Sequence, residues 1–254
     1  AELLTEGWRV AFILGGVFGL VSVWLRQYLH ETPVFKEMEA RQELADELPL
    51  KTVVRAHRPA VVLTMLMTWL LSAAIVVMIL MTPTLVQKLF AIPAATALQA
   101  NSIATLFLSV GCIVFGALAD RFGGGRVLAA GCVALGATSW LFYQQMGVAP
   151  ERIYVLYALC GFCVGAIGVI PSTAVAAFPP AVRFSGLSFA YNVAYAVFGG
   201  LTPVLVSLLL PLDALAPAHY VLALSAVGVG LGMYLRRREQ GAGASRSGDA
   251  TVRE

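Results

Sequence analysis

Seven long runs of this chain carry no Asp, Glu, Lys or Arg, and no other feature restricts its fold so tightly. They are Val10–Leu25, Pro59–Gln87, Leu89–Ala119, Val127–Pro150, Ile153–Val182, Phe184–Leu212 and Ala214–Leu235. A helix rises about 1.5 Å per residue, so about 20 apolar residues cross roughly 30 Å of hydrocarbon. The first run is the shortest and is extended by Trp8 and Tyr28 at interfacial positions. Lipid offers the backbone no hydrogen-bond partner, and the runs are too long and too unalternating for barrel strands. The expected fold class is therefore an all-α membrane protein with seven transmembrane helices.

Composition agrees with that reading. Only 12% of the residues are charged and 59% are hydrophobic, whereas a soluble domain carries roughly 25% charge to face water. The net charge of +3 comes from basic residues that are neither clustered nor interleaved with aromatics, which excludes nucleic acid as a partner. The chain opens Ala-Glu-Leu-Leu, with no basic segment ahead of a cleavable apolar stretch, so no signal peptide is expected and the start reads as the middle of a longer protein.

Lys and Arg in the connections set the expected orientation. The loop after the first run holds Lys36, Arg41, Lys51, Arg55 and Arg58, with Arg26 at its edge. Later connections alternate less sharply: Lys88, then Arg121 and Arg126, then Arg152, then Arg183, then none. The tail opens with Arg236, Arg237 and Arg238. The long loop and the tail decide the matter: the first helix begins outside and the C-terminus is cytoplasmic. Within His30–Arg58, the apolar stripe Phe35, Met38, Leu44 and Leu48 among charged residues predicts one or two short helices along the membrane face, with a plain solvated connector as the alternative. The Gly- and Ser-rich tail at 237–254 is expected to be disordered.

The chemistry available to the spans is polar but neutral. With no charged residue in any span core, a voltage sensor, a retinal-binding lysine and a proton relay built within this chain are all disfavoured. No H-E-x-x-H, G-x-S-x-G or intramembrane carboxylate pair supplies an enzyme's general base, so the chain reads as no enzyme and no cofactor is expected. Cys160 and Cys163 form a C-x-x-C, but the three histidines lie far away in sequence, so small residues on a packed helix explain the pair better than a metal. Thr64, Thr68 and Ser72 recur at four-residue spacing on one face of the second span, beside Trp69. Asn101, Ser102, Thr105 and Ser109 lie in the third span, and Ser185, Ser188, Tyr191, Asn192 and Tyr195 in the sixth. Such residues either line a watered cavity or bond between helices. Gly161, Gly165 and Gly168 ahead of Pro171, and Gly199 and Gly200 ahead of Pro203, suit close packing with bends.

The connection Gly116-Ala-Leu-Ala-Asp120-Arg121-Phe-Gly123-Gly-Gly-Arg126 resembles the G-x-L-a-D-R-x-G-R-R/K signature of the major facilitator superfamily. That signature joins helices two and three and recurs more weakly between helices eight and nine. The match departs at Gly124 and Gly125, where the family usually has basic residues. The resemblance implies a cytoplasmic conformational latch made by Gly116, Asp120, Arg121, Gly123 and Arg126, in which Asp120 accepts from a helix N-terminus or pairs with an arginine. An ordinary interfacial cap is the other reading of the same residues. Three further stretches are similar to the metabolite:proton symporter branch of that superfamily: Gly7–Gly15, His30-Glu-Thr-Pro-Val-Phe35, and Phe178–Asn192 leading into Phe198–Pro203.

The resemblance implies that the chain is the sixth to twelfth helix of a twelve-helix transporter. Residues 1–29 would be the last helix of the N-terminal half, 30–58 the central cytoplasmic loop and 59–236 the C-terminal six-helix bundle. It further implies a secondary transporter in a plasma membrane, a bacterial inner membrane by this branch. Its partners would be the bilayer, the missing N-terminal half, a small organic solute (an organic acid or osmolyte) and protons. Thr64, Thr68, Trp69, Asn101, Ser172, Tyr191 and Asn192 become candidate lining residues, and any coupling acids fall in the absent half. The competing expectations are a seven-helix receptor and a truncated, non-transporting product.

Overall fold

The computed structural model describes residues 2–28 and 55–250. The resemblance at His30–Phe35 and the helices expected within the long loop lie outside the described residues. The chain divides into two units, Ala1–Asp46 and Glu47–Glu254. Among the described residues the first contains one helix, α1 (Glu2–Arg26), closed by Arg26 in its last turn, where a cation suits the negative end of the helix.

The second unit is a helical bundle. Its helices are α2 (Arg58–Phe90), α3 (Ala94–Phe122), α4 (Gly124–Met146), α5 (Pro150–Ala176), α6 (Pro180–Leu209) and α7 (Ala216–Ala250). All six are long and apolar enough to cross a membrane, α7 over Ala216–Gly241. Their connections are a few residues each, so successive helices run antiparallel. Large apolar side chains such as Leu98, Ile113, Val133, Val155 and Leu208 stand exposed, as lipid-facing positions must.

Two boundaries differ from the sequence reading. The break expected at Lys88 does not occur there. Helix α2 runs on to Phe90, because one lysine is favourable in a last turn, and the chain turns at Ala91 with φ 53° ahead of Pro93. The last helix does not stop at Arg236 but continues to Ala250, so residues 237–250 are helical where a disordered tail is expected. The Arg-Arg-Arg-Glu-Gln stretch favours helix, and Glu239 is held by a contact described below.

Small residues set how closely the helices approach. Helix α4 packs most extensively on α7. A side chain at Gly125 would collide with the backbone nitrogen of Arg236, and one at Gly232 would stand 2.7 Å from the Gly125 carbonyl oxygen. Helix α3 crosses α5 in the same way: a Cβ at Gly161 would strike the Ala104 carbonyl, and one at Gly165 would come 2.6 Å from the Gly111 Cα. From that contact onward α5 tightens into a 3₁₀ segment, Gly165–Val169, ahead of Pro171.

Candidate solute cavity and latch

The conformation of the latch turn is set by glycine. Gly123 has φ +91°, a region closed to most side chains, and this lets α3 end at Phe122 and α4 begin at Gly124 with one residue between them. The first turn of α4 exposes backbone N–H groups that need an acceptor. The residue that provides it is not Asp120. Gly125 N–H donates to Glu239 Oε1 at 3.1 Å, and the second carboxylate oxygen lies 2.8 Å from where a Gly123 side chain would begin. A carboxylate at a helix N-terminus complements both the orphan donors and the helix dipole. Asp120 and Arg121 are exposed, and the Arg121 guanidinium lies over the Phe122 ring at 5.4 Å. The departure at Gly125 thus has a geometric reason, since α7 passes too close for a side chain there, whereas a side chain at Gly124 would meet only ordinary contacts. Glu239 could not be found by motif, because it lies in a segment that reads as an unfolded tail.

Beside this turn is a cavity of about 690 Å³, lined by Leu63, Asp120, Gly124, Ser172, Thr173 and Glu239 among others. Ser172 is exposed and bonds back to the Val169 carbonyl at 3.0 Å. A second, mostly apolar cavity of about 350 Å³ lies between α5 and α6 and contains Tyr191 and Asn192 with Ser188 and Pro171. Tyr191 stacks on Tyr195 at 5.8 Å, and Asn192 Nδ2 donates to the Ser188 carbonyl at 2.8 Å, which leaves its amide oxygen free.

The other candidate lining residues are placed elsewhere. Thr64 and Thr68 are fully buried, and their hydroxyls have no hydrogen-bond partner. Trp69 stacks on Phe198 of α6 at 4.6 Å and donates from Nε1 to the Tyr220 hydroxyl of α7 at 3.3 Å. Asn101 meets the Tyr157 hydroxyl of α5 at 2.6 Å. The structure therefore brings together Tyr191 with Asn192, and Ser172 with Asp120, but not all seven residues around one cavity. Tyr157, Tyr143 and Tyr220, which bond between helices, carry no sequence signal beyond being tyrosines in apolar runs. The two C-x-x-C cysteines are free, and Cys160 Sγ donates to the Thr138 carbonyl at 3.1 Å. Among the described residues no group of three His, Cys, Asp or Glu could hold a metal ion.

Six helices long and apolar enough to cross a membrane, packed as one bundle, define an integral membrane protein. The family model for the Major Facilitator Superfamily matches residues 2–203, and the chain belongs to that family. Among its relatives, a citrate-proton symporter of Klebsiella pneumoniae is 30% identical over 91% of this chain and 53% of its own length. A putative proline/betaine transporter of Staphylococcus aureus is 25% identical over 89% of this chain and 50% of its own length. An inner membrane metabolite transport protein of Escherichia coli is 28% identical over 80% and 47% respectively. The chain spans about half the length of these relatives. The family is one of transporters, not enzymes, and it displaces the seven-helix receptor reading.

Proposed function

We propose that this chain is the C-terminal part of a secondary transporter that moves a small organic solute, an organic acid or osmolyte, by alternating access coupled to protons. The observation that carries the reading is uneven coverage of the bundle. Only 17% of the apolar stretch of α3 and of α6 is buried, against 67% for α2 and for α5. Two helices left open in a bundle otherwise better packed, in a chain half as long as its relatives, are what a second half would cover. Tyr191 and Asn192 lie on one of those open helices, where a wall shared with a second half would place them.

The six-helix bundle offers neutral hydroxyl, amide and aromatic groups but no charge within its spans. Recognition of a carboxylate, and the acids that take up and release the proton, therefore belong to the other half. In this reading the latch turn and the C-terminus face the cytoplasm of a bacterial cell, with the bundle in its inner membrane, and the basic residues of the long loop and the tail support that side.

The test is uptake of radiolabelled citrate, proline and betaine into liposomes under an inward proton gradient. The expected outcome is saturable uptake of at least one solute by the whole protein that contains this chain, collapsed by a protonophore, and none by these 254 residues alone. Saturable uptake by the isolated chain would overturn the half-transporter reading, and gradient-independent uptake by the whole protein would remove proton coupling.

A further inference from the structure

Two helices of the bundle depart from regular α-helix in the same manner. In α2 a π-helical segment, Val76–Met81, is followed at once by Thr82-Pro83. In α6 a π-helical segment, Tyr195–Gly199, leads within three residues to Thr202-Pro203. Helices α2 and α6 run in the same direction, and each Thr-Pro pair stands six to eight residues before its helix ends, at Phe90 and Leu209. The two irregularities thus lie at similar depth.

Each leaves backbone carbonyls that the helix cannot satisfy. A π register carries hydrogen bonds to the carbonyl five residues back, and Thr82 N–H makes that bond to Val77 O. Pro83 comes next and has no N–H, so Met78 O loses its backbone donor. Pro203 likewise donates to nothing. Within lipid such a carbonyl must find a partner or the bend cannot persist.

Met78 O is met from a neighbouring helix, while two threonine hydroxyls bond back within their own helices and are themselves held from neighbouring ones. The Tyr157 hydroxyl lies 2.5 Å from Met78 O and 2.6 Å from Asn101 Oδ1, two acceptors for its single proton. Turning the Asn101 amide so that its NH₂ faces the tyrosine oxygen commits that proton to Met78 O. Thr82 Oγ1 donates to Val77 O at 2.8 Å, so the Tyr143 hydroxyl, 2.8 Å from Thr82 Oγ1, is the donor of that pair. In α6, Thr202 Oγ1 donates to Phe198 O at 2.6 Å, and the Tyr220 hydroxyl at 2.9 Å donates to Thr202. Tyr143 belongs to α4 and Tyr220 to α7, the most extensively packed pair in the bundle.

We propose that α2 and α6 are jointed at Thr82-Pro83 and Thr202-Pro203, and that Tyr143 and Tyr220, on the α4–α7 pair, are the pins that hold each joint. Tyr157 serves the first joint a second time through Met78. When a pin is withdrawn, Thr82–Phe90 or Thr202–Leu209 moves as a short arm while α4 and α7 stay fixed. The use of these arms in opening a pathway rests on the transporter reading; the joints themselves do not.

The test is amide hydrogen exchange of the intact protein in lipid nanodiscs, with Tyr143→Phe, Tyr220→Phe and Tyr157→Phe each removing one oxygen. Tyr143→Phe is expected to speed exchange about tenfold in residues 84–90, and Tyr220→Phe to do so in 204–210, with α4 and α7 unchanged. Pro83→Ala restores a donor to Met78 O, so Tyr157→Phe on that background is expected to exchange as Pro83→Ala alone does. Should a tyrosine variant not fold, Thr82→Val and Thr202→Val ask the same question from the other side of the bond. Unchanged exchange in both arms, a uniform rise across the bundle, or no rescue by Pro83→Ala would overturn the proposal. Exchange reads the joints and solute uptake reads the transporter, so failure of one is distinguishable from failure of the other.

Discussion

Thr64 and Thr68 pose the sharpest question at the level of single side chains. A buried hydroxyl without a partner forfeits about 1–3 kcal/mol of solvation, and two of them lie one helical turn apart on α2 with no bond to repay it. Replacing each by valine keeps the shape and removes the unpaired group. Thr64→Val and Thr68→Val are therefore expected to leave thermal stability equal or raised by about 1 kcal/mol, measured by unfolding in detergent. A loss of about 1 kcal/mol or more would mean that the hydroxyls bond to water or a partner in the folded protein, which would return them to the cavity wall. The sequence shows these residues as a hydroxyl-bearing face, but helical spacing is the same whether a face meets a cavity or another helix. Glu239 illustrates the opposite failure: its role depends on where α7 passes the α3–α4 turn, a tertiary fact that no local pattern carries. Gly123, in contrast, is legible, because a turn this tight demands a positive φ.

At the level of elements, the α3–α5 crossing depends on the absence of side chains. Gly111, Gly161 and Gly165 each bring backbone against backbone, and any Cβ there lands within the neighbour's van der Waals surface. Gly161→Leu must separate the helices or distort one of them, and is expected to cost about 1–3 kcal/mol or more. The same change at Gly200, where a Cβ would meet open space, is expected to cost far less, so the pair of variants separates packing from loss of helix flexibility. Thermal unfolding of both in one detergent is the measurement, and equal losses would refute the packing account. The run of glycines before Pro171 is readable as a close contact. The identity of the partner helix is not readable, since α3, α4 and α6 are all apolar and all contain small residues.

For the whole molecule, the open faces of α3 and α6 are the decisive feature. Lipid tolerates apolar surface on any helix, so exposure of Leu98, Ile113 or Leu208 alone requires no partner. The polar groups on the same helices are harder to leave facing hydrocarbon. Ser102, Thr105 and Ser109 on α3 bond back to their own helix at 3.1, 2.8 and 3.2 Å, and Asn192 on α6 does the same. Those bonds satisfy the donors, yet the amide oxygen of the exposed Asn192 is left to water or protein. A second half that encloses a watered cavity would meet that need, in keeping with a chain that covers about half the length of its relatives. In the native membrane the product carrying this C-terminus is therefore expected to be about twice the 26.9 kDa of the chain, in line with relatives of which it covers 47–53%. An antibody against the tail, used on membranes solubilised and run under denaturing conditions, measures it. A band at the mass of the chain would require a separate protein to supply the other wall, and crosslinking from cysteines placed at Leu98 and Leu208 would then identify it. A band at that mass with no crosslinked partner would contradict the half-transporter account, and α3 and α6 would have to be explained as lipid-facing helices that keep polar groups satisfied within themselves.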